Sequence, residues 1–461
     1  MKSDSLTKQA SLLMAGRILS MPLTFLVPIV LVRVFTVEEF GVYKQLFMIF
    51  YVILPIVDLG ISQSLFYFMP KYAEYRDRIL SQTFLFQIPI ILGLTIIFFV
   101  FSQEIGSLFS GDGGTLADYI PLLGIFALLW HLSNILENIL IVEKKAFQAG
   151  AVTFFSESLR AIVSMVIGLL GGSLEHLMMG LVGTAILRCA FMGWYLQRTM
   201  RFSFQLNGSL VYSQLSYSLP FGLAIIVNTL VLFSHQYIVS ISTGPADFAI
   251  YAVGCFSLPV FAIVVDSLVK VSLVRMSEAT NQANSSVIIS QIIYDTIRKL
   301  WIIFFPIFVF LFVVSEEMIV LLFTENYRDS VSIFRVFIFS IPLYALLLQH
   351  VPRVFSMTYF ILFNNTFFLI LSIFNCFIFY KLFGLLGPAL GFVFSNFVWR
   401  IIFLIKCKKI LKVNIVNLIP LAQILRVFLI FSFLGLSIFF IKNLLFISYY
   451  SSFAFSFVLY W

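Results

Sequence analysis

Long runs of apolar residues, separated by short polar stretches, cover almost the whole chain. A membrane-spanning helix needs about 20 mostly apolar residues, and the runs predict fourteen such spans. The predicted spans are residues 10–33, 41–66, 81–101, 118–142, 150–171, 177–197, 217–241, 247–272, 298–322, 329–351, 359–381, 385–405, 418–441 and 444–461. We therefore expect an all-α polytopic membrane protein. The first run contains Arg17 and lacks a small-residue cleavage site, so we expect a retained helix and not a signal peptide.

The composition supports this prediction. The chain of 461 residues is 61% hydrophobic and only 11% charged. A soluble domain is nearer half apolar and a quarter charged. The excess apolar surface needs lipid around it, which excludes an ordinary soluble enzyme or binding domain.

The positive charges predict the orientation of the spans. With the N-terminus in the cytoplasm, 18 of the 29 Lys and Arg residues fall in cytoplasmic segments, 5 on the opposite side and 6 within spans. Cytoplasmic loops of membrane proteins carry such an excess. The net charge of +8 is then a consequence of topology, and we expect no nucleic-acid partner.

Two segments about two hundred residues apart resemble each other. Residues 39–43 (EFGVY) match residues 247–251 (DFAIY) at an offset of 208, and Arg188 matches Arg400 at 212. Each half then holds six spans, so the repeats are parallel and can rock about a central crevice to give alternating access. The predicted domains are a six-helix bundle over 1–208, its repeat over 209–415, and additional C-terminal helices over 416–461.

Arginines within the spans are the first candidates for binding. A charge buried in hydrocarbon costs at least a few kcal/mol, so each must face a partner or a wet cavity. Guanidinium groups are suited to phosphate, because their planar fork donates two hydrogen bonds and stays charged. The candidates for substrate binding are Arg17, Arg160, Arg188 and Arg335.

Several arginines within the spans also have a plainer interpretation, whereas Arg188, closer to mid-span, is undecided. Glu157 and Arg160 lie three residues apart on one helix face and are spaced to neutralise each other. Arg400 and Arg426 lie near cytoplasmic span ends, where snorkelling to the interface is the better interpretation. Arg17 can also snorkel, although the helix-bending Pro22 and Pro28 that follow it in the first span favour a cavity.

Acidic and histidine residues within the spans are candidates for ion coupling. His131 and Glu137 lie on or beside a polar stripe of the fourth predicted span and have groups that can carry a proton. Asp58 and Asp266 occupy matching places in the two halves. The alternatives are hydrogen bonding between helices for the stripe and a structural contact for the two aspartates.

Motifs of enzymes are missing from the sequence. It contains no P-loop, no G-x-S-x-G and no H-E-x-x-H, so we expect no enzymatic activity and no cofactor. The four cysteines are scattered without metal-ligand or disulfide spacing, which predicts packing residues and no metal site.

Two stretches resemble a known family. Residues 33–72 (RVFTVEEFGVYKQLF…) and 383–405 (FGLLGPALGFVFSNF…) are similar to polysaccharide exporters of the O-antigen flippase (Wzx) group. That group belongs to the multidrug/oligosaccharidyl-lipid/polysaccharide (MOP) superfamily, which shares its fold with the MATE transporters. The resemblance implies a bacterial inner-membrane protein that moves an undecaprenyl-pyrophosphate-linked oligosaccharide to the outer leaflet. By position, Arg17 matches the first-span arginine of related flippases.

The resemblance also implies partners and leaves rivals open. The implied partners are the lipid-linked oligosaccharide, membrane lipids, a coupling proton or sodium ion, and polysaccharide polymerase or assembly proteins. A MATE-type drug or cation antiporter is the nearest alternative, although an acidic cavity would suit it better. An O-antigen polymerase would need a large outer loop bearing arginines, and the predicted outer loops are short.

Overall fold

The protein is built from helices, as the apolar runs predict. A computed structural model describes residues 6–109, 114–201, 207–256, 258–280, 282–355 and 357–445, together with residues 453, 456 and 457. Within these residues every regular element is helical and none is a strand. The all-α fold class is therefore confirmed.

Twenty α-helices lie within the described residues, some of them joined by single 3-10 turns. They are α1 (Leu6–Val34), α2 (Val37–Asp58), α3 (Ile61–Lys71), α4 (Arg76–Val100), α5 (Ser102–Phe109), α6 (Gly114–Ala117), α7 (Ile120–Val142), α8 (Ala146–Leu169), α9 (Leu174–Thr199), α10 (Gly208–Ser242), α11 (Pro245–Gly254), α12 (Pro259–Ala279), α13 (Ser285–Val313), α14 (Ser315–Phe323), α15 (Ser330–Phe337), α16 (Ser340–Tyr344), α17 (His350–Val354), α18 (Thr358–Phe383), α19 (Gly387–Leu411) and α20 (Leu421–Leu445).

The helices make this a multi-pass membrane protein. In the described residues, ten stretches are long and apolar enough to cross a membrane. One of these, Tyr359–Leu411, contains both α18 and α19. Each of the first thirteen predicted spans overlaps at least one helix, whereas the last predicted span lies almost wholly outside the described residues. The count of fourteen stays a prediction.

The chain divides into two compact units. The first comprises residues 1–233 and 240–249, and the second comprises residues 234–239 and 250–461. The long helix α10 therefore contributes to both. The predicted domains 1–208, 209–415 and 416–461, and the repeat that relates the first two, stay predictions.

In the first unit, α1 packs along α8, and α7 packs against α4 and α9. The crossing of α1 and α8 is close because Gly16 faces the backbone of Gly150. A methyl group on Gly16 would lie 2.2 Å from the carbonyl oxygen of Gly150. Small residues at such a crossing let two membrane helices approach, and this contact fixes the position of the neighbouring Arg17.

A break separates α2 from α3 in the first unit. Leu59 and Gly60 both have positive φ, 46° and 75°, a conformation that glycine adopts without strain. Gly60 also faces the backbone of Gly222 in α10, where a methyl group would lie 2.9 Å from the Gly222 nitrogen. The break places the half-buried Asp58 at the carboxyl end of α2 rather than within a continuous helix.

In the second unit, α13 packs against α20, and α18 packs against α19. Residues 330–354, where the sequence predicts one span, form three short helices, α15, α16 and α17. Pro342 and Pro352 lie in this segment, and proline removes a backbone donor from a helix. The interruption leaves backbone carbonyls free for other partners.

Candidate functional site

A polar pocket of about 300 Å³ lies in the first unit. It brings together four of the eight predicted site residues, namely Arg17, Asp58, His131 and Glu137. Other lining residues come from α2, α3, α7 and α10: Leu54, Pro55, Ser62, Gln63, Asn134, Ile135, Asn138 and Ile225. We call this the Arg17 pocket. Such a concentration of charge between membrane helices is typical of a functional site.

Arg17 and Glu137 form an ion pair in this pocket. The Nη2 of Arg17 donates to the Oε1 of Glu137 at 2.7 Å. The two side chains differ in exposure, since Arg17 is 70% exposed and Glu137 only 13%. The remaining N–H groups of the guanidinium are therefore accessible to a ligand, while the carboxylate is held between the helices.

His131 is connected to Asp58 through a glutamine. The Nε2 of His131 lies 2.7 Å from the Oε1 of Gln87, and the Nε2 of Gln87 donates to the backbone oxygen of Asp58 at 2.9 Å. Because the amide nitrogen of Gln87 already donates, its oxygen is the acceptor for His131. This assigns the proton of neutral His131 to Nε2 and leaves Nδ1 as the nitrogen that can take up another.

Asp58 terminates α2 and accepts a hydrogen bond from the start of the next helix. Its Oδ1 accepts from the backbone N–H of Ser62 at 3.3 Å. A carboxylate near the N-terminus of α3 interacts favourably with the helix dipole. Asp58 is half-buried and also lines the Arg17 pocket, so the structural interpretation and the functional one both fit its position.

Arg188 lies behind the pocket on α9. It is only 7% exposed, its Nη2 donates to the Oδ1 of Asn134 at 2.7 Å, and its Cζ lies 4.3 Å from the ring centroid of Trp130. Its Nε and Nη1 are buried without a hydrogen-bond partner among the described residues. Asn134 therefore connects Arg188 to the wall of the Arg17 pocket.

Arg160 on α8 is placed outside the Arg17 pocket. Its Nη2 donates to Glu157 at 2.5 Å, so the ion pair that their spacing predicts is present. Its Cζ also lies 5.2 Å from the Trp130 ring centroid. Arg160 instead lines a smaller pocket between α1, α2 and α8.

Two predicted site residues belong to the second unit. The Nε of Arg335 on α15 donates to the hydroxyl of Ser315 at 2.7 Å, beside the charged residues Glu316 and Arg328 of a pocket of about 660 Å³. Asp266 lies on α12, but its side chain is outside the described residues. Their assignment to a site stays a prediction.

The expectation that Arg400 snorkels is wrong. Arg400 is 4% exposed, and its Nη1 donates to the backbone oxygen of Leu346 at 2.6 Å and to the Oε1 of Gln349 at 2.5 Å. Leu346 lies between α16 and α17, where the helix is interrupted. The interruption supplies an acceptor inside the unit, so the guanidinium does not need to reach the membrane surface.

An ionic cluster joins helix ends beside the loop between α7 and α8. Glu143 accepts from the Nε of Arg76 at 2.9 Å and from the Nζ of Lys145 at 2.6 Å. Burial raises the pKa of Glu143, but these hydrogen bonds outweigh it and the pKa is lowered overall. For Lys145, burial lowers the pKa, and the bonds to Glu143 and Tyr195 raise it overall.

A family model identifies the chain. The model of polysaccharide biosynthesis proteins matches residues 30–332, which is about two thirds of the sequence. The chain belongs to the polysaccharide biosynthesis protein family. Among curated proteins, none matches it in sequence.

Solved structures show the fold that this family member adopts. The lipid II flippase MurJ in an inward closed conformation has 17% identity, covers 97% of each chain and gives a TM-score of 0.74. An inward-facing multidrug resistance MATE family transporter of the MOP superfamily has 14% identity over 85% of this chain and 94% of that chain, with a TM-score of 0.70. A MOP superfamily transporter from Pyrococcus furiosus has 15% identity over 88% and 96%, with a TM-score of 0.59.

These findings confirm the resemblance to the MOP superfamily. At such low identity, they establish the fold of this polysaccharide biosynthesis protein and not its substrate. The fold is the one that the MurJ flippase and these two transporters adopt. In the part of the chain that the structure describes, no three His, Cys, Asp or Glu side chains come together as metal ligands would.

Sequence reasoning missed two polar residues of the first unit. Gln87 accepts a hydrogen bond from His131 and so fixes the orientation of its ring. Lys44 lines the pocket that contains Arg160. Gln87 lies in the apolar run of α4 and Lys44 within α2. Two features of the sequence could have identified them. One is an uncharged polar residue within a span, and the other is a lysine two turns inside a helix.

Proposed function

We propose that the protein is a flippase for lipid-linked oligosaccharides. In this proposal it moves an undecaprenyl-pyrophosphate-linked repeat unit, of the O-antigen kind, from the cytoplasmic to the outer leaflet of the bacterial inner membrane. The observation that carries the proposal is the exposed guanidinium of Arg17, in a polar pocket between membrane helices, in a polysaccharide biosynthesis protein. The similar fold of a lipid II flippase supports a substrate on a lipid carrier.

Arg17 is the proposed ligand of the pyrophosphate. Its side chain is 70% exposed, and a planar guanidinium can make two hydrogen bonds to a phosphate while it keeps its charge. The oligosaccharide is too large for a pocket of about 300 Å³, so this pocket would hold only the anionic head. The predicted parallel repeat would supply alternating access to the two faces of the membrane.

Glu137 and His131 are the proposed coupling groups, with Asp58 and Asp266 as further candidates. A phosphate that binds Arg17 competes with Glu137 for the guanidinium, which is 2.7 Å from the carboxylate. Glu137 would then lose its counter-charge in a site of low dielectric and bind a proton or sodium ion in its place. His131, through its Nδ1, would pass or hold a proton beside it.

Complementation tests the substrate proposal. Deletion of the gene should abolish a surface polysaccharide and leave its lipid-linked unit on the inner leaflet. Arg17→Ala should fail to restore the polysaccharide, and Arg17→Lys should restore it in part because the charge remains without the fork. The matched control is Arg426→Ala, an exposed arginine of α20. Full restoration by Arg17→Ala at equal protein levels would remove Arg17 from the site.

Cysteine labelling tests the proposed orientation. Leu170→Cys lies in the loop between α8 and α9, and Asn284→Cys lies in the loop before α13. Both positions are exposed. With the N-terminus in the cytoplasm, an impermeant reagent should label only position 170 in intact cells. Labelling of position 284 alone would reverse the orientation.

A MATE-type cation antiporter is the second candidate. The acidic side chains of Asp58 and Glu137 in the Arg17 pocket are the observation that favours it. Arg17 opposes it, because a bound cation would have to displace a guanidinium from Glu137. Increased resistance to cationic drugs on expression, lost in Glu137→Gln and kept in Arg17→Ala, would favour the antiporter.

A further inference from the structure

A second polar pocket lies in the first unit, apart from the Arg17 pocket. It has a volume of about 200 Å³ between α1, α2 and α8. The residues of α1 that line it are Thr24, Val27 and Pro28, about 10 to 16 Å further along that helix than Arg17 at 1.5 Å per residue. The two pockets therefore lie at different depths of the same unit. We call the second one the Lys44 pocket.

Lys44 carries an uncompensated charge in this pocket. Its ammonium group lies 5.3 Å from the ring centroid of Phe40, and it forms no ion pair with any residue that the structure describes. The residue is half-buried, two turns inside α2. A lysine at such a depth is costly unless a counter-charge or water reaches it.

Arg160 adds donors to the same pocket. Its charge is balanced by Glu157, but its Nε is buried and has no hydrogen-bond partner among the described residues. A buried unpaired donor costs roughly 1–3 kcal/mol, which a bound acceptor would offset. Tyr43 and Tyr51, whose hydroxyl groups are possible donors, also line the pocket. The pocket thus has one excess positive charge and several donors around a small space.

We propose that the Lys44 pocket binds a phosphate group. The ammonium of Lys44 and the Nε of Arg160 are its main donors, since both groups make strong charge-assisted hydrogen bonds to phosphate oxygens. A volume of about 200 Å³ is below that of an ordinary ligand pocket. It admits the phosphate and a few waters but no oligosaccharide. The phosphate is either free in solution or the head of an anionic lipid.

This inference does not depend on the proposed flippase activity. If both proposals hold, the phosphate of the lipid carrier has two binding sites along the first unit, first at Arg17 and then at Lys44. If the flippase proposal fails, the Lys44 pocket still binds a phosphate. Binding measurements on the purified chain separate the two cases, because they need no transport.

The test is a titration of the purified full-length chain in nanodiscs of phosphatidylcholine. One arm adds inorganic pyrophosphate to the solution, and the other includes a polyprenyl phosphate in the nanodisc. Tryptophan fluorescence reports on binding because the Trp130 ring centroid lies 5.2 Å from Arg160, and thermal stabilisation provides a second readout. Sodium chloride at equal ionic strength is the anion control.

Lys44→Gln should weaken binding about tenfold or more, as expected for a lost charged hydrogen bond. The matched control is Lys381→Gln, which removes an exposed lysine over the ring of Phe377 in α18 and should leave binding unchanged. The titration is repeated in an Arg17→Gln background, which removes the pyrophosphate ligand of the proposed function, and the loss caused by Lys44→Gln should persist there. Lys44→Arg retains the charge and should retain binding. This variant keeps the proposal testable if Lys44→Gln fails to fold.

The outcome of the two arms identifies the source of the phosphate. A response to the polyprenyl phosphate alone assigns a lipid head, and a response to pyrophosphate alone or to both assigns any accessible phosphate. The proposal is overturned if neither ligand binds, if chloride gives an equal response, or if Lys44→Gln binds as the parent does. Loss of binding in Arg17→Gln but not in Lys44→Gln would place the phosphate in the Arg17 pocket alone.

Discussion

The two units bury an arginine in similar surroundings but satisfy it by different means. Arg188 in the first unit and Arg400 in the second are 7% and 4% exposed. Their guanidinium carbons lie 4.3 Å and 4.6 Å from the ring centroid of a tryptophan, Trp130 and Trp399. The two arginines are 212 residues apart, at positions that the sequence aligns. The repeat that aligns them stays a prediction.

The difference lies in the hydrogen-bond acceptors. Arg188 donates to the side chain of Asn134, whereas Arg400 donates to the backbone oxygen of Leu346 and to Gln349. Asn134 and Leu346 are also 212 residues apart. In α7 the helix is continuous, so its carbonyls are used within the helix and a side chain must serve as acceptor. Between α16 and α17 the helix is interrupted, and a carbonyl is free.

The largest effect is expected from Asn134→Leu, which gives the first unit the residue found at the matching position of the second. The buried guanidinium of Arg188 loses its acceptor without gaining a backbone carbonyl. The apparent free energy of unfolding should fall by about 3 kcal/mol. Thermal denaturation and hydrogen exchange in α7 measure it.

Two further variants control this prediction. Asn138→Leu changes the same residue type one turn along α7 and should cost much less. The double variant Asn134→Leu/Arg188→Met removes the stranded charge and should recover most of the loss. Equal losses in Asn134→Leu and Asn138→Leu would show that Arg188 does not depend on its acceptor.

Gln349→Leu should have an intermediate effect. Arg400 loses one of its two acceptors but keeps the backbone oxygen of Leu346, so we expect a loss of about 1–2 kcal/mol. Hydrogen exchange in α17 and α19 provides the measurement, and α7 is the internal reference. A loss as large as that of Asn134→Leu would mean that the backbone carbonyl contributes little.

Acid should weaken the first unit more than the second. The folded pKa of Glu143 is lowered, so its carboxylate contributes stability above the ordinary pKa of about 4.3. That contribution is lost as pH falls through the lowered folded value. The second unit has Phe355 at the position 212 residues further on.

We expect a loss of about 1 kcal/mol in the first unit from this group. The measurement is hydrogen exchange at the ends of α4, α7 and α8 between neutral pH and pH 3. Glu143→Gln should reduce the acid sensitivity of these helix ends, whereas Glu104→Gln, an exposed acid of α5, should leave it as it is. Unchanged acid sensitivity in Glu143→Gln would exclude this cluster as the cause.

Leu346→Met should have the smallest effect, about 0.5 kcal/mol. The substitution changes the side chain but keeps the carbonyl that accepts from Arg400. The same thermal assay applies, with Asn134→Leu as its counterpart in the first unit. A large loss here would indicate that the side chain of Leu346, not its backbone, is what supports Arg400.

The sequence predicts some residues of the candidate site and misses others. Arg17, Asp58, His131 and Glu137 were singled out as charges within spans, and the structure places all four in one pocket. Their separation along the chain carries no information on this proximity, because it arises from the packing of α1, α2 and α7. Gln87 and Lys44 are not predicted as site residues, since neither breaks an apolar run strongly.

What the sequence determined by itself is the all-α membrane architecture. Transfer of apolar side chains into lipid dominates the free energy, and every backbone group in lipid must be satisfied within a helix. Only the tertiary structure decided which charges meet and which helices break. The pairing of Arg17 with Glu137 and the release of the Leu346 carbonyl for Arg400 depend on contacts between helices. Such contacts follow from side-chain packing where particular helices cross. The hydropathy pattern contains no information about that packing.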